Sequence, residues 1–191
     1  MIIIKIGGSL CTRADLINWL EEIVKIKNYP VIIVPGGGPF ADTVRHLDNE
    51  MKLSPACSHE LALMAMQQYA RLMCDLNPAL PLVYTFDDMK NVNSACVWAP
   101  HMLSLEYCPY PKNWETTSDS LSVWLAAALK SNHLCLVKSA QLQTNHELMI
   151  NSNLVDAYFS TALGEYGGKL HFYHASQAKI FLQQFNDGHF S

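Results

Sequence analysis

Ile2-Ile3-Ile4-Lys5-Ile6-Gly7-Gly8-Ser9 is a short β-branched run that opens into paired glycines, the signature of a buried strand ending in a loop. Val31-Ile32-Ile33-Val34, followed by Pro35-Gly36-Gly37-Gly38, repeats the pattern. Between the two runs, Leu16, Leu20, Ile23 and Val24 recur at helical spacing, an apolar stripe that packs against a core. Strand, helix, strand makes a βαβ unit and hence a parallel sheet.

The alternation continues outward from this unit. Helices are expected from Phe40 to about Glu50, from Ser58 to about Leu76 with Ser58 as N-cap, at about Ser118–Lys130 and at about Ser176–Phe185. Further strands are expected at Leu82–Thr85, Ala95–Trp98, Leu134–Lys138 and Leu170–Tyr173. The fold class is α/β, a three-layer α/β/α sandwich with a mainly parallel central sheet. Residues 1–191 form one compact domain, without repeat, linker or low-complexity tract. Pro100 through Trp114 is the one long irregular segment, and such loops often carry function.

Composition narrows the function classes. Of 191 residues, 50% are hydrophobic and 16% charged, enough apolar material for a core without disulfide or metal staples. A net charge of -4 disfavours nucleic-acid binding, which needs a basic field. No apolar run approaches the roughly 18–20 residues of a membrane helix, and Met1 to Lys5 lacks the pattern of a signal peptide, so a cytoplasmic protein is expected. The six cysteines contain no C-x-x-C pair and are expected to be reduced and mostly buried. Among eight histidines, His171 and His174 fall on opposite faces of a strand, and no metal site is expected.

Chemistry concentrates at strand ends. In open parallel sheets ligands collect at the carboxyl ends of strands, and adjacent glycines let backbone amides approach an anion. Lys5 adds a cation beside Gly7, Gly8 and Ser9, and Lys138 closes another apolar run in the same way. Gly36, Gly38 and Ala41 satisfy G-x-G-x-x-A, but the region about 20 residues on runs into a helix instead of ending a strand with an acidic residue. Thr116, Thr117 or Ser118 can N-cap the helix that follows. Asp119 in its first turn either complements the helix dipole or accepts hydrogen bonds from lysines and glycine amides.

The combination Lys5-x-Gly7-Gly8-Ser9, the strand into Gly36-Gly37-Gly38, and Thr117-Ser118-Asp119-Ser120 opening a helix resembles the amino acid kinase family over about residues 2–160. Ser58 through Ala70, Trp114 through Ser120, and Leu136-Val137-Lys138-Ser139 are most similar to the small aminomethylfuran phosphate kinase subgroup of archaea and methylotrophs. The resemblance implies ATP and Mg²⁺ as cofactors and a small-molecule phosphate acceptor, an aminomethylfuran phosphate in methanofuran-type cofactor synthesis. It implies Lys5, Asp119 and Lys138 as catalytic residues. Gly7, Gly8, Ser9, Thr117 and Ser118 are then expected at phosphate, and Gly36, Gly37, Gly38 and His59 at the acceptor, with Trp114 as a lid. Gly167-Gly168-Lys169 only partly matches the nucleotide-binding segment of larger family members, so a contracted nucleotide half is expected. A non-catalytic nucleotide- or anion-binding module and an NAD(P)-binding oxidoreductase are the alternatives. The Met- and Ala-rich 58–76 helix either lies in the core or offers the face of a homo-oligomer.

Overall fold

The computed structural model describes residues 1–27, 29–142 and 154–190. Six strands form one sheet in the order β3-β4-β2-β1-β5-β6, and every pairing among them is parallel. The strands are β1 (Ile2–Ile6), β2 (Val31–Pro35), β3 (Leu82–Val83), β4 (Ala95–Trp98), β5 (His133–Lys138) and β6 (Lys169–His174). The helices are α1 (Ala14–Ile23), α2 (Gly38–Met51), α3 (Pro55–Leu76), α4 (Phe86–Lys90), α5 (Ser118–Ala128), α6 (Phe159–Leu163) and α7 (Ala178–Asn186). Because β1 pairs with β2 on one side and β5 on the other, chain direction across the sheet reverses at β1, the place where an open parallel sheet leaves a crevice.

Strand periodicity sorts the side chains between two cores. Ile2, Ile4 and Ile6 of β1, with Cys135 and Val137 of β5, pack against Leu16, Trp19 and Leu20 of α1 and Phe181 of α7. Ile3, Leu134 and Leu136 face the other way, against Leu121 and Leu125 of α5 and Phe159 of α6. Two-residue alternation therefore sends Lys5 and Lys138 to the α5 side. The three-layer expectation holds.

One sequence expectation is corrected. The cap of α3 is Ser54, whose hydroxyl accepts from Cys57 N at 3.3 Å, and Pro55 takes the first turn. Ser58 is one turn further in, buried, its hydroxyl donating to Ser54 O. The signal was Pro55, which is preorganised for a first helical turn. The short α4, closed by a Thr85–Asp88 capping box, was also unforeseen, since five residues show no periodicity. Of the six cysteines, all free, Cys96 and Cys135 are buried and Cys57 is exposed. Among the described residues no helix is long and apolar enough to cross a membrane.

Candidate active site

Lys5 and Lys138, at the carboxyl ends of neighbouring strands, converge on Asp119 in the first turn of α5. Lys5 Nζ lies 2.7 Å from Asp119 Oδ1, and Lys138 Nζ donates to Oδ1 and Oδ2, both at 2.8 Å. All three residues are buried, exposed by 3%, 8% and 5% respectively. Burial pushes the Asp119 carboxyl up, but the two ammonium groups outweigh it and hold the carboxyl down at about 2. Burial and the charge of Lys5 lower Lys138 to about 8, with Asp119 only partly compensating. Two buried cations on one anion leave a positive excess, which favours a further anion.

The two lysines are not equivalent. Lys138 also donates to Leu154 O at 2.8 Å, so its three N–H bonds are all committed. Among the described residues Lys5 has one ion pair, with Asp119, and it lines an open cavity of about 420 Å³. Gly8, Ser9, Gly37, Gly38, Ser118 and Arg45 line the same cavity.

The glycine loops interlock above the sheet. A Cβ on Gly8 would come within 2.4 Å of Gly38 N, and Gly38 has φ of +57°. The close approach holds the first amides of the 3₁₀ turn Gly8–Leu10 beside those of α2, and such amides lack intrahelical acceptors. Not every expected phosphate contact survives. Gly7 N donates to Val137 O at 3.0 Å, which anchors the loop and takes that amide away from a ligand. Ser9 Oγ lies 2.7 Å from Ser139 Oγ across the β1 and β5 loops.

Asp156 caps α5 from a distant part of the chain. Its carboxylate accepts from Thr117 N at 2.9 Å, Thr117 Oγ1 at 2.8 Å, Ser120 N at 3.0 Å and Ser120 Oγ. Thr117 is the cap residue by position, its hydroxyl donates to Asp156, and the residue lines the cavity. Ser118 remains on the cavity wall. Because Asp156 holds the turn that carries Asp119, Asp156→Ala is expected to cost about 2–3 kcal/mol. Urea unfolding measures this, and an unchanged midpoint would show that the cap is dispensable.

A second, smaller cavity of about 50 Å³ adjoins the first, sharing Gly37, Arg45, Thr117 and Ser118. Its wall is mostly apolar, with Ala41, Leu63, Met66, Trp114 and Leu121, and His59 lies along it, 7% exposed. Burial, then the nearby Lys112 charge, lowers the His59 imidazole below its ordinary value. Arg45 stacks over Trp114 at 4.8 Å and pairs with Asp42 at 2.9 Å, while Trp114 Nε1 donates to Asp48 Oδ2 at 2.6 Å.

With this geometry in place, the likenesses to known proteins become informative. Residues 1–94 match the model of the Amino acid kinase family. Over 132 residues, 68% of this chain, the sequence is 31% identical to the [5-(aminomethyl)furan-3-yl]methyl phosphate kinase of Methanocaldococcus jannaschii. The likeness to the amino acid kinase family is carried by residues 1–94. The match spans 61% of the M. jannaschii protein's length. Among solved structures, the uridylate kinase of Archaeoglobus fulgidus superposes with a TM-score of 0.72 at 12% identity, covering 97% of this chain and 95% of that one. The UMP kinase of Ureaplasma parvum gives 0.68 at 17% identity, covering 98% and 94%. The aspartate kinase of Synechocystis gives 0.66 at 14% identity, covering 91% of this chain and 37% of that one. These likenesses establish the fold.

Lys5, Gly8, Gly37, Gly38, Ser118 and Asp119 meet at one cavity, with Lys138 behind Asp119. His59 belongs to the adjoining cavity. Lys169 does not join them. It opens β6 and pairs with His133, at the opposite end of the sheet from Lys138, about 17 Å along the strand. Arg45 and Asp156, absent from the sequence reading, take part, and so does Thr116, which was read there only as a candidate cap. Arg45 stands two helical turns beyond the second glycine loop, a spacing that keeps it on the cavity side of α2. Asp156 and Thr116 carried no local signal, because their partners lie far away or are lacking.

Proposed function

We propose that this protein is an ATP-dependent small-molecule kinase whose acceptor is a phosphomonoester, specifically an aminomethylfuran phosphate. One observation carries the reading: a buried carboxylate gathers two lysines at the switch point of a parallel sheet, where Lys5 faces a cavity roofed by glycine amides. The name of the M. jannaschii relative supports the acceptor, and so does the apolar cavity, whose size and walls suit a five-membered ring.

The free amides and Lys5 fit a polyphosphate, since both offer donors where the fold leaves no room for a Cβ. Bound ATP supplies the phosphoryl group, and Mg²⁺ held on it would lower the charge of its phosphates. Among the described residues no group of three His, Cys, Asp or Glu is placed to hold a metal, which suits an ion carried chiefly on phosphate and water. Lys5 lies between the phosphate to be transferred and the acceptor. An anionic oxygen of the acceptor phosphate attacks the γ-phosphorus, the bond to the bridging oxygen breaks, and ADP leaves with the electron pair. The attacking oxygen is already deprotonated, so no general base is required. Two like charges at 4 Å repel by about 4 kcal/mol at an effective dielectric of 20, a barrier that Lys5 and Arg45 offset. Lys138 is a positioning residue that acts through Asp119. We also carry the contracted nucleotide half into this proposal, on the limited chain between β5 and β6.

The test is ATP consumption against phosphomonoesters, carboxylates and alcohols. Turnover with a ring-bearing phosphomonoester supports the reading; binding of ATP without turnover on any acceptor overturns it in favour of a binding module. Activity is expected to be level up to about pH 8 and to fall above it, as Lys138 loses its proton. The Lys138→Arg variant should keep what activity it has into the alkaline range. Fold stability should move the other way there. The folded lysine titrates near 8 and the free one near 10.5, so the unfolded chain binds more protons in that window and stability rises with pH.

A further inference from the structure

We propose that Thr116, with His59, determines acceptor specificity by receiving a hydrogen-bonding substituent, amino or hydroxyl, on the acceptor's ring away from its phosphate. The inference rests on the kinase reading and adds the chemistry of the far end of its acceptor. Among the described residues, three buried side-chain polar atoms lack a partner: Tyr69 Oη, Trp98 Nε1 and Thr116 Oγ1. Of these, Thr116 lines the acceptor cavity, and Tyr69 and Trp98 line neither it nor the cavities beside it.

Thr116 forms part of the wall between the 50 Å³ acceptor cavity and a cavity of about 10 Å³ behind it, and His59 and Leu121 line both. Its position is imposed from both sides. Thr116 N donates to Asn113 O at 3.2 Å, and the next residue is fixed by Asp156. A hydroxyl that is 4% exposed at residue level, held rigidly and left unpaired, costs stability unless a ligand completes it. The imidazole of His59, kept neutral at pH 7 by burial and by Lys112, offers one lone pair and one N–H on the same wall. Together they place a donor and an acceptor on the wall of a mostly apolar slot. Such a site rejects an analogue lacking the polar group more strongly than one lacking a methylene, because the protein's own groups are then left unpaired.

Three phosphomonoesters of one five-membered ring, bearing aminomethyl, hydroxymethyl or methyl at the far position, should be titrated calorimetrically without ATP. The unmodified protein is expected to bind the two polar compounds roughly 10-fold or more tighter than the methyl compound. Thr116→Val, which keeps shape and removes the hydroxyl, should largely erase that preference and raise Tm by about 2–4 °C. His59→Leu should erase the remainder. A preference that persists in both variants, or a loss of affinity equal for all three compounds, overturns the inference while leaving the kinase reading intact. Failure of the unmodified protein to bind any of the three overturns the acceptor class and the inference together.

Discussion

Lys5→Ala is expected to lower turnover by roughly 10³–10⁵-fold, the range seen when a cation that stabilises the charge of a transferring phosphoryl group is removed. The chain should still unfold cooperatively. Asp119 keeps both of its contacts from Lys138, so the buried carboxylate is not orphaned by the change. Losing the Lys5 charge also relieves one of the two causes that depress Lys138. The alkaline fall in any residual activity should therefore move to higher pH. Single-turnover phosphoryl transfer with saturating ATP and acceptor measures the loss, and near-normal rates would sink the assignment of Lys5. The Lys5→Met variant, which retains most of the stem, separates loss of charge from loss of packing.

Asp119→Asn has the largest expected effect on stability. It leaves two buried ammonium groups beside each other without an anion, and breaking a buried pair in this way costs about 3–5 kcal/mol. For a chain of this size that is a fall in Tm of roughly 6–20 °C. The pH dependence gives a second signature. Asp119 titrates near 2 when folded against 3.8 when free, so its contribution is complete above about pH 4 and drains away as pH falls toward 2. The difference between the two proteins should shrink across that interval. Equal urea midpoints at pH 7 would mean that the cluster adds nothing to the fold.

Much of the site could be read from sequence because strand periodicity and strand ends are local facts. Lys5 and Lys138 each close an apolar run, and period-two alternation puts them on one face once the strands are neighbours. The glycine loops announced themselves by composition. Asp119 could be placed in a first turn, although sequence alone left open whether it served the helix or the lysines. It lies in the helix and pairs with both lysines. What could not be read was the identity of long-range partners. Nothing near Asp156 signals that it caps a helix that starts at Ser118, and nothing near Thr116 says that its hydroxyl is left over. Trp114, expected as a lid, is held by Asp48 and Arg45, residues on a helix that the sequence reading had described only by its extent. The Ser58 cap failed for a simpler reason, since a helix can begin one turn earlier wherever a serine is followed by proline.

The place of β1 in the sheet has a consequence for how the protein is made. Lys5 is made long before its partners, for its strand is flanked by β5, and the carboxylate that fixes α5 is Asp156. At about 5–20 residues per second, roughly 8–30 s separate the synthesis of the first strand from that of the cap. During that interval the Ile2–Ile6 strand, apolar but for Lys5, has β2 on one side and an unpaired edge on the other. A nascent chain halted before β5 should therefore bind chaperones or aggregate through that edge. Protection of the β1 amides from hydrogen exchange should arrive late in synthesis, together with nucleotide binding.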